Sequence, residues 1–337
     1  MPVLDQKDKE MVARYEKFMR STKEGRLTQD LGWAKVKNNW ESREVFVEND
    51  KGEIVAAMSM LLTDTPTGKK FAYASKGPII ADKFDLDLLD KLVAEAKKIL
   101  PDAYVLRMDP EIEYSDELNE ELIKRGYKTR NRNVADEGMH ATIQPRLNMV
   151  LDLNDFPGKE TTLDLYPSKT KSKLKRPIRD GVEVTWGHDE AALDAFYQTY
   201  ETMANRHGIT YRPKEYFQRM LDAFDEDTLR IYVAKREGKL LSTGIALKYG
   251  DKIWYVYAGS MDGNIYYAPY AVQTAMIQWA LDSPEITLYD MGGIESESTS
   301  DPLWVFKHTF VKASPKEYIG EIDVVLDDAA YKELVKD

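Results

Sequence analysis

The feature that most constrains this fold is a diverged internal repeat. Each copy contains a hairpin with a charged, glycine-containing turn, an aromatic strand, an amphipathic helix and a strand that ends in an acid. Almost the same number of residues separates the turn glycines, Gly52 and Gly238, as separates the acids, Asp109 and Asp290. Such an offset indicates a duplicated α/β unit, although two similar units can also arise by coincidence.

A helix-like segment precedes each hairpin, at 7–21 and at 190–207. In the second segment, Leu193, Phe196 and Tyr200 recur at helical spacing. The order helix, strands, helix, strand is similar to that of the GNAT acyltransferases, whose splayed central strands leave a cleft. Those enzymes hold the pyrophosphate of coenzyme A with a loop of the pattern Arg/Gln-x-x-Gly-x-Gly/Ala. The sequence has no such loop, so we do not expect coenzyme A to be the acyl donor.

Composition excludes several classes of enzyme. The chain has 337 residues and no cysteine, which rules out disulfides, a thiol nucleophile and cysteine-ligated zinc. Its four histidines form no metal-binding motif, and no serine-hydrolase elbow or P-loop occurs, so we expect no metal and no cofactor. A net charge of −11 argues against broad nucleic-acid binding but leaves room for a local basic patch. Without a signal peptide or a long apolar run, the sequence predicts a cytoplasmic monomer with no membrane insertion.

Eight motifs are spread along the chain. They are QDLGWAKVKNNW (29–40), YASKGP (73–78), YPSKTKSKLKRPIRDGVEV (166–184), HGITYRPKEYFQRM (207–220), LSTGIALKYG (241–250), YVYAGS (255–260), YYAPYAVQ (266–273) and YDMGGIESES (289–298). These motifs resemble the Fem-type non-ribosomal peptidyl transferases, which build peptidoglycan cross-bridges. The resemblance covers essentially the whole chain and favours the short FemX-type members, because no heptad run indicates a coiled-coil arm.

The resemblance implies an α/β (α+β) fold of two tandem acetyltransferase-like (GNAT-like) domains with a central cleft and no coiled-coil arm. We expect the first domain, on the precursor side, to span 1–145 plus 317–337. The second domain, on the aminoacyl-tRNA side, would span 146–316. The segment YIGEIDVVL (318–326) is the candidate for the strand that returns to the first domain.

The implied activity is an aminoacyltransferase of peptidoglycan and cell wall biosynthesis. It moves an amino acid, usually alanine, from aminoacyl-tRNA to the lysine ε-amino group of UDP-MurNAc-pentapeptide. This aminolysis of an ester needs a neutral amine, close positioning and a stabilised oxyanion, without a metal or a protein nucleophile. Serine or glycine as the transferred residue stays open. So do two other functions: an acyl-CoA N-acetyltransferase, and a non-catalytic relative that binds RNA or a nucleotide sugar.

The resemblance also assigns residues to the precursor site. Lys37 and Arg212 match the pair that binds the nucleotide diphosphate, and both cations suit phosphate oxygens. On sequence alone, a solvated surface charge is the more common role of a single lysine or arginine, and the family resemblance is what favours phosphate binding. The remaining candidates around the precursor, each of which has a packing role as its alternative, are Tyr104, Tyr216, Tyr257, Tyr255 and Thr210.

Three residues are predicted at the reaction itself. Asp109 could orient the acceptor ammonium or take its proton, and the alternative is a strand-end acid that binds a turn amide. Lys307 matches the lysine that faces the aminoacyl end of the tRNA, and Phe306 could stack on the terminal adenosine. The alternative for this pair is a core phenylalanine beside a surface lysine. By contrast, Asp290, the second-copy counterpart of Asp109, is expected to be structural.

A dense basic run is the predicted contact with tRNA phosphates. Its alternating lysines share a face if the run is a strand and spread around the axis if it is a helix. The alternative is a solvated start to the second domain. The run consists of Lys169, Lys171, Lys173, Lys175, Arg176 and Arg179.

Overall fold

A computed structural model describes residues 3–134, 138–261 and 265–335, and these divide into two compact units. The first unit contains the described residues up to Asn148, the segment Gly293–Trp304 and the described residues from Pro315 on. The second unit contains Met149–Gly292 and Val305–Ser314.

The predicted domain boundaries differ from this division at one segment. The predicted changes at 145/146 and 316/317 lie within a few residues of two observed divisions. The segment 293–304 was predicted in the second domain, whereas it lies in the first unit. The sequence gives no signal for this division, because residues 294–301 form no helix or strand that would mark a change of domain.

The described elements follow in chain order. The helices are α1 (Lys9–Ser21), α2 (Leu31–Val36), α3 (Leu86–Lys98), α4 (Asp116–Lys124), α5 (Ser168–Arg179), α6 (Glu190–His207), α7 (Lys214–Ala223), α8 (Ala268–Leu281), α9 (Pro302–Lys307) and α10 (Asp328–Leu334). The strands are β1 (Glu41–Glu48), β2 (Ile54–Asp64), β3 (Lys70–Ala74), β4 (Ile79–Ile80), β5 (Ala103–Met108), β6 (Lys128–Arg130), β7 (Leu147–Asp152), β8 (Val182–Gly187), β9 (Leu229–Arg236), β10 (Lys239–Tyr249), β11 (Lys252–Ser260), β12 (Leu288–Gly293), β13 (Lys316–Glu317) and β14 (Glu321–Val325).

The first unit is built on a sheet of order β1-β2-β3-β5-β14-β6, with β4 paired to β2. All its pairs are antiparallel except β3 and β5, which run parallel and are joined by a crossover through α3. One face of the sheet buries alternate residues such as Leu106 and Met108 against Leu89 and Leu92 of α3. Because this face is apolar, the polar side chains of β5 lie on the other.

The C-terminal segment completes this first sheet. Strand β14 inserts between β5 and β6 and pairs antiparallel with both, with Ile322 opposite Met108 and opposite Thr129. The strand return that the family resemblance implied is therefore present. Strand β13 pairs with Leu147 and Asn148, and both partners belong to the same unit.

The second unit repeats the topology of the first. Its sheet has the order β7-β12-β11-β10-β9-β8, in which β11 and β12 are the parallel pair and α8 is the crossover. The hairpin between β9 and β10 turns on Glu237 and Gly238, both with positive φ. Both sequence copies thus form hairpin, strand, crossover helix and parallel strand, which confirms the duplicated α/β fold.

Candidate functional site

Asp109 lies directly after β5, at the carboxyl end of the parallel strand pair. The carboxylate is buried, and both oxygens accept hydrogen bonds: Oδ2 from the Tyr73 hydroxyl at 2.6 Å and Oδ1 from the Lys76 amide at 2.6 Å. Gln144 donates in turn to the Tyr73 hydroxyl at 3.2 Å. This chain of bonds fixes the orientation of the carboxylate before any ligand arrives.

Burial dominates the acid–base character of Asp109. It raises the pKa of this carboxyl to about 7, against the hydrogen bonds from Tyr73 and from the Lys76 amide, which favour the charged form. Burial and the neighbouring Asp109 also raise the pKa of the Tyr73 hydroxyl well above its ordinary value, so Tyr73 acts as a donor. A carboxyl that titrates near neutral pH can accept a proton from an ammonium at the strand end.

The loop after β3 supplies one of these bonds through an unusual backbone conformation. Lys76 has a φ of +53°, which turns its amide toward Asp109. The buried Gln29 side chain holds this loop, since its amide donates to the Ser75 carbonyl at 3.0 Å. A Cβ at Gly77 would lie only 2.4 Å from Gln29, so glycine is required there. The motif YASKGP contains Tyr73, Lys76 and Gly77, but the pattern alone did not reveal their roles.

A buried ion triad lies beside this loop. Glu111 accepts from both Lys76 and Arg26, and the Arg26 Nε to Glu111 Oε2 distance is 2.5 Å. The Glu111 and Lys76 side chains are both nearly inaccessible. Sequence reasoning missed Glu111 and Arg26, because a charged residue two positions after a strand-end acid has no distinguishing pattern.

A cavity of about 710 Å³ opens in the first unit near the starts of α3 and α4. Apolar side chains such as Ile80, Phe84 and Ile112 line it, together with six acidic and three basic residues. In GNAT enzymes, the loop before the crossover helix holds the pyrophosphate of coenzyme A. The surplus of carboxylates here repels phosphate, so this cavity is unsuited to that cofactor.

Lys37 and Tyr104 are the predicted precursor residues of the first unit, and neither is next to Asp109 in the sequence. Lys37 is half-buried just after α2, where its amide donates to the Trp33 carbonyl at 3.0 Å. Tyr104 is only 6% exposed and packs among Phe71 and Tyr331. It is five residues before Asp109, about 17 Å along an extended strand. Its observed role is packing, and its contact with the precursor stays a prediction.

Arg212, Tyr216 and Tyr257 come together in the second unit. The Arg212 guanidinium lies 4.5 Å from the centroid of the Tyr216 ring, and the hydroxyls of Tyr216 and Tyr257 are 3.5 Å apart. Tyr200 of α6 joins them, because its hydroxyl accepts from the Arg212 amide at 3.4 Å. An exposed guanidinium stacked on a fixed aromatic ring is well arranged to bind phosphate oxygens. Sequence reasoning had placed Tyr200 only in the helix core.

Tyr255 and Thr210 do not join this group. Strand alternation alone would put Tyr255 and Tyr257 on the same face. However, a bulge shifts the register, so that Tyr257 pairs with Ile245 and Tyr255 with Ala246. Tyr257 therefore packs toward α6 and α7, whereas Tyr255 lies near α8. Thr210 is exposed in the loop between α6 and α7. The precursor contacts of both residues stay predictions.

Phe306 and Lys307 end the short helix α9. Phe306 is half-buried, with its ring 5.1 Å from that of Tyr270 in α8. Lys307 is buried beside Gly292, and a Cβ built at that glycine would lie 3.7 Å from the Lys307 ammonium. Gly292 has a φ of +76°, which an L side chain rarely adopts. The strand end is therefore shaped to pass close to Lys307.

Asp290 holds that strand end in place. Its Oδ2 accepts from the buried Lys252 ammonium at 2.8 Å, and its Oδ1 accepts from the Gly292 amide at 2.7 Å. Asp109, in the first copy, is thus hydrogen-bonded and has a pKa of about 7, whereas Asp290, in the second copy, forms a buried ion pair with Lys252. Asp290 has the structural role that the repeat predicted.

The basic run forms helix α5. Lys173 and Arg176 contact aromatic rings of Tyr270 and Tyr267, at 4.5 Å and 4.2 Å from the ring centroids. Lys171 pairs with Asp164 at 3.6 Å. The other three cations, Lys169, Lys175 and Arg179, are exposed. The run is therefore a cationic helix, and its contact with RNA stays a prediction.

The described parts of the chain contain no group of three or more His, Asp or Glu side chains arranged to hold a metal ion. None of their helices has the length and apolar character needed to cross a membrane.

Two family models match the chain. The FemAB family matches residues 11–239, and an acetyltransferase (GNAT) domain matches residues 168–333. Among curated proteins, the chain is 71% identical to the UDP-N-acetylmuramoylpentapeptide-lysine N(6)-alanyltransferase of Weissella viridescens, over the whole of both chains. It is 23% identical to a Lipid II:glycine glycyltransferase of Staphylococcus epidermidis, over 94% of this chain and 92% of that one.

Solved structures show the same fold. The crystal structure of FemX superposes with a TM-score of 0.82 at 20% identity, over 99% of this chain and all of that one. A tandem GNAT protein of clavulanic acid biosynthesis superposes with a TM-score of 0.56 at 12% identity, over 96% and 97%. The duplicated topology defines a tandem acetyltransferase-like fold. Within that class, the chain belongs to the FemAB family, as its motifs predicted.

Proposed function

We propose that this protein transfers alanine from aminoacyl-tRNA to the lysine ε-amino group of UDP-MurNAc-pentapeptide. The observation that carries the proposal is 71% identity, over the full length, to an alanyltransferase with that acceptor. The family resemblance and the cationic helix α5 of the second unit support aminoacyl-tRNA as the donor. No cofactor is needed, because the ester of the charged tRNA is itself an activated acyl group.

The reaction is the aminolysis of an ester. The neutral lysine amine attacks the alanyl carbonyl carbon, and the resulting tetrahedral oxyanion collapses with cleavage of the bond to the ribose oxygen. A proton leaves the attacking nitrogen, and the ribose hydroxyl regains one. Asp109, with a pKa of about 7, is suited to orient the ammonium or to accept its proton. Lys307 supplies a fixed positive charge of the kind that stabilises an oxyanion.

Arg212 is our candidate for a contact with the diphosphate of the precursor. The Arg212 guanidinium is stacked on Tyr216 and presents its donors in a fixed plane. Acyl-CoA is disfavoured as donor, because the cavity at the first crossover helix carries twice as many acidic as basic side chains.

Mass analysis of the acceptor tests the proposal. UDP-MurNAc-pentapeptide is incubated with the protein and a mixed pool of charged tRNAs, and in parallel with acetyl-CoA. We expect a mass increase of one alanine with the tRNA pool and no change with acetyl-CoA. Acetylation of the acceptor, or no product with any charged tRNA, would exclude the proposed function. Addition of serine or glycine would instead correct the residue transferred.

A further inference from the structure

Helix α5 carries its cations in two rows. Lys169, Lys173 and Arg176 are spaced i, i+4, i+7 and so share one face, while Lys171, Lys175 and Arg179 lie on another. Among the described residues, the first row borders an aromatic surface, through Lys173 on Tyr270 and Arg176 on Tyr267. The two rows therefore differ in what they can bind, although their charge is the same.

A second lysine lies close to Lys173. Lys312 follows α9, and its ammonium donates to the His308 carbonyl. Burial and the neighbouring Lys173 ammonium both lower the pKa of Lys312. Within the described residues, neither lysine has an ion pair with a carboxylate: Lys173 donates to the Thr309 hydroxyl at 3.2 Å. Two neighbouring ammonium groups without an acid repel each other, and a bound anion relieves that repulsion.

Aromatic rings adjoin this pair of lysines. The Tyr270 ring, which Lys173 covers, lies 5.1 Å from Phe306 and 5.7 Å from Tyr267. Arg176 stacks over Tyr267 and also donates to its hydroxyl at 2.8 Å. Tyr267 and Phe306 are half-exposed, whereas Tyr270 is buried. Cations beside exposed rings are typical of proteins that bind unpaired nucleotides, because the rings stack on bases and the cations bind phosphates.

We propose that Lys173 and Lys312, flanked by Arg176 and Tyr267, form a phosphodiester subsite for the unpaired 3′ end of the donor RNA. This inference rests on the proposed function. RNA is favoured over the diphosphate of the precursor because of the adjoining rings and the contact between Tyr270 and Phe306. The opposite row of α5 is then a general cationic surface rather than a part of this subsite.

Binding measured without transfer tests the subsite directly. A labelled single-stranded RNA with a free 3′ end is titrated into wild type, Lys173→Ala, Lys312→Ala and the double variant at several salt concentrations. We expect each single loss to weaken binding about fivefold or more and to reduce the slope against log salt by roughly 0.7, the value for one single-strand phosphate contact. Lys173→Arg should restore most of the affinity. Lys51→Ala, which removes an exposed lysine in the turn between β1 and β2 of the first unit, is the control for net charge.

Steady-state kinetics form the second arm. With saturating precursor, kcat/KM for aminoacyl-tRNA should fall in the same order as RNA affinity, while the KM for the precursor stays within twofold. Unchanged RNA binding in the double variant, or an equal loss in Lys51→Ala or Lys175→Ala, overturns the inference. A rise in precursor KM alone also overturns it, since it assigns the subsite to the diphosphate. If RNA binding depends on Lys173 but no charged tRNA supports transfer, the proposed function fails while the subsite stands.

Discussion

At the scale of single residues, Asp109 is the clearest case of a side chain poised by its surroundings. The carboxyl has two hydrogen-bond donors and is buried, so two opposing influences act on its pKa, and burial prevails. The folded-state pKa of about 7 is above the ordinary value for an aspartate. Ionising this group in the folded protein therefore costs free energy. The free energy of unfolding falls as the pH rises from the ordinary aspartate pKa toward the folded-state value of about 7.

Asp109→Asn removes that cost. We expect the free energy of unfolding of the variant, relative to wild type, to increase by about 1–3 kcal/mol between pH 5 and pH 8. Tyr73→Phe removes a hydrogen bond to the charged Asp109 carboxylate and should therefore raise its pKa further. The fall in the free energy of unfolding should then extend to a higher pH than in wild type. Urea unfolding at several pH values measures both. Asp50→Asn, in an exposed turn, is the control, and an identical pH dependence of all variants would contradict the raised pKa.

The sequence identified Asp109 but not its partners. Strand-end position and the repeat both mark the acid, and these signals depend only on pattern. Tyr73 and Lys76 lie in a motif that had no assigned chemistry, since their roles depend on a positive φ at Lys76 and on the buried Gln29 side chain. Such backbone conformations arise from tertiary contacts and cannot be read from local residue type.

At the scale of elements, predictability followed the strength of local signals. Helix α6 has the predicted bounds because Asp189 caps its start and Gly208, with positive φ, ends it. The state of α5 was left open, because alternating lysines fit either a strand or a helix. The sequence grouped Tyr255 with Tyr257 around the precursor. One bulge in β11 places their side chains on opposite faces of the sheet, and strand alternation cannot anticipate such a bulge.

The end of β12 gives a test at this scale. Gly292 and Gly52 have the same φ of +76°, but only Gly292 lies beside Lys307. Alanine at either position should cost about 1–2 kcal/mol in the free energy of unfolding, because the left-handed conformation strains a Cβ. Gly292→Ala should also lower kcat/KM about tenfold, since relaxation of the strand end displaces Lys307. Urea unfolding and transfer kinetics measure the two effects, and equal activity of both variants would separate Gly292 from the site.

At the scale of the whole molecule, the first unit depends on the distant segment that contains β14 and α10. Arg107 of β5 donates to Asp323 of β14 through two bonds, at 2.7 Å and 2.6 Å, and Tyr331 of α10 donates to the same carboxylate at 2.7 Å. Asp323 is completely buried. The first sheet therefore needs β14 for its completion, and the buried Arg107 guanidinium needs it for this partner.

The buried pair predicts where a single change unfolds the protein. Asp323→Asn removes the negative charge but keeps the shape. Arg107 loses its bidentate partner and keeps only the Glu321 carboxylate, at 3.0 Å, so we expect a cost of about 3 kcal/mol. Because β14 pairs only with β5 and β6, hydrogen exchange should accelerate in those strands and leave β9 and β10 of the second unit protected. Asp90→Asn, which weakens a half-exposed cluster with Arg125 and Tyr127, should cost less than about 1 kcal/mol. Uniform acceleration of hydrogen exchange across both units would mean that they unfold as one cooperative body. An equal loss of unfolding free energy in Asp323→Asn and Asp90→Asn would mean that burial does not strengthen the Arg107 pair.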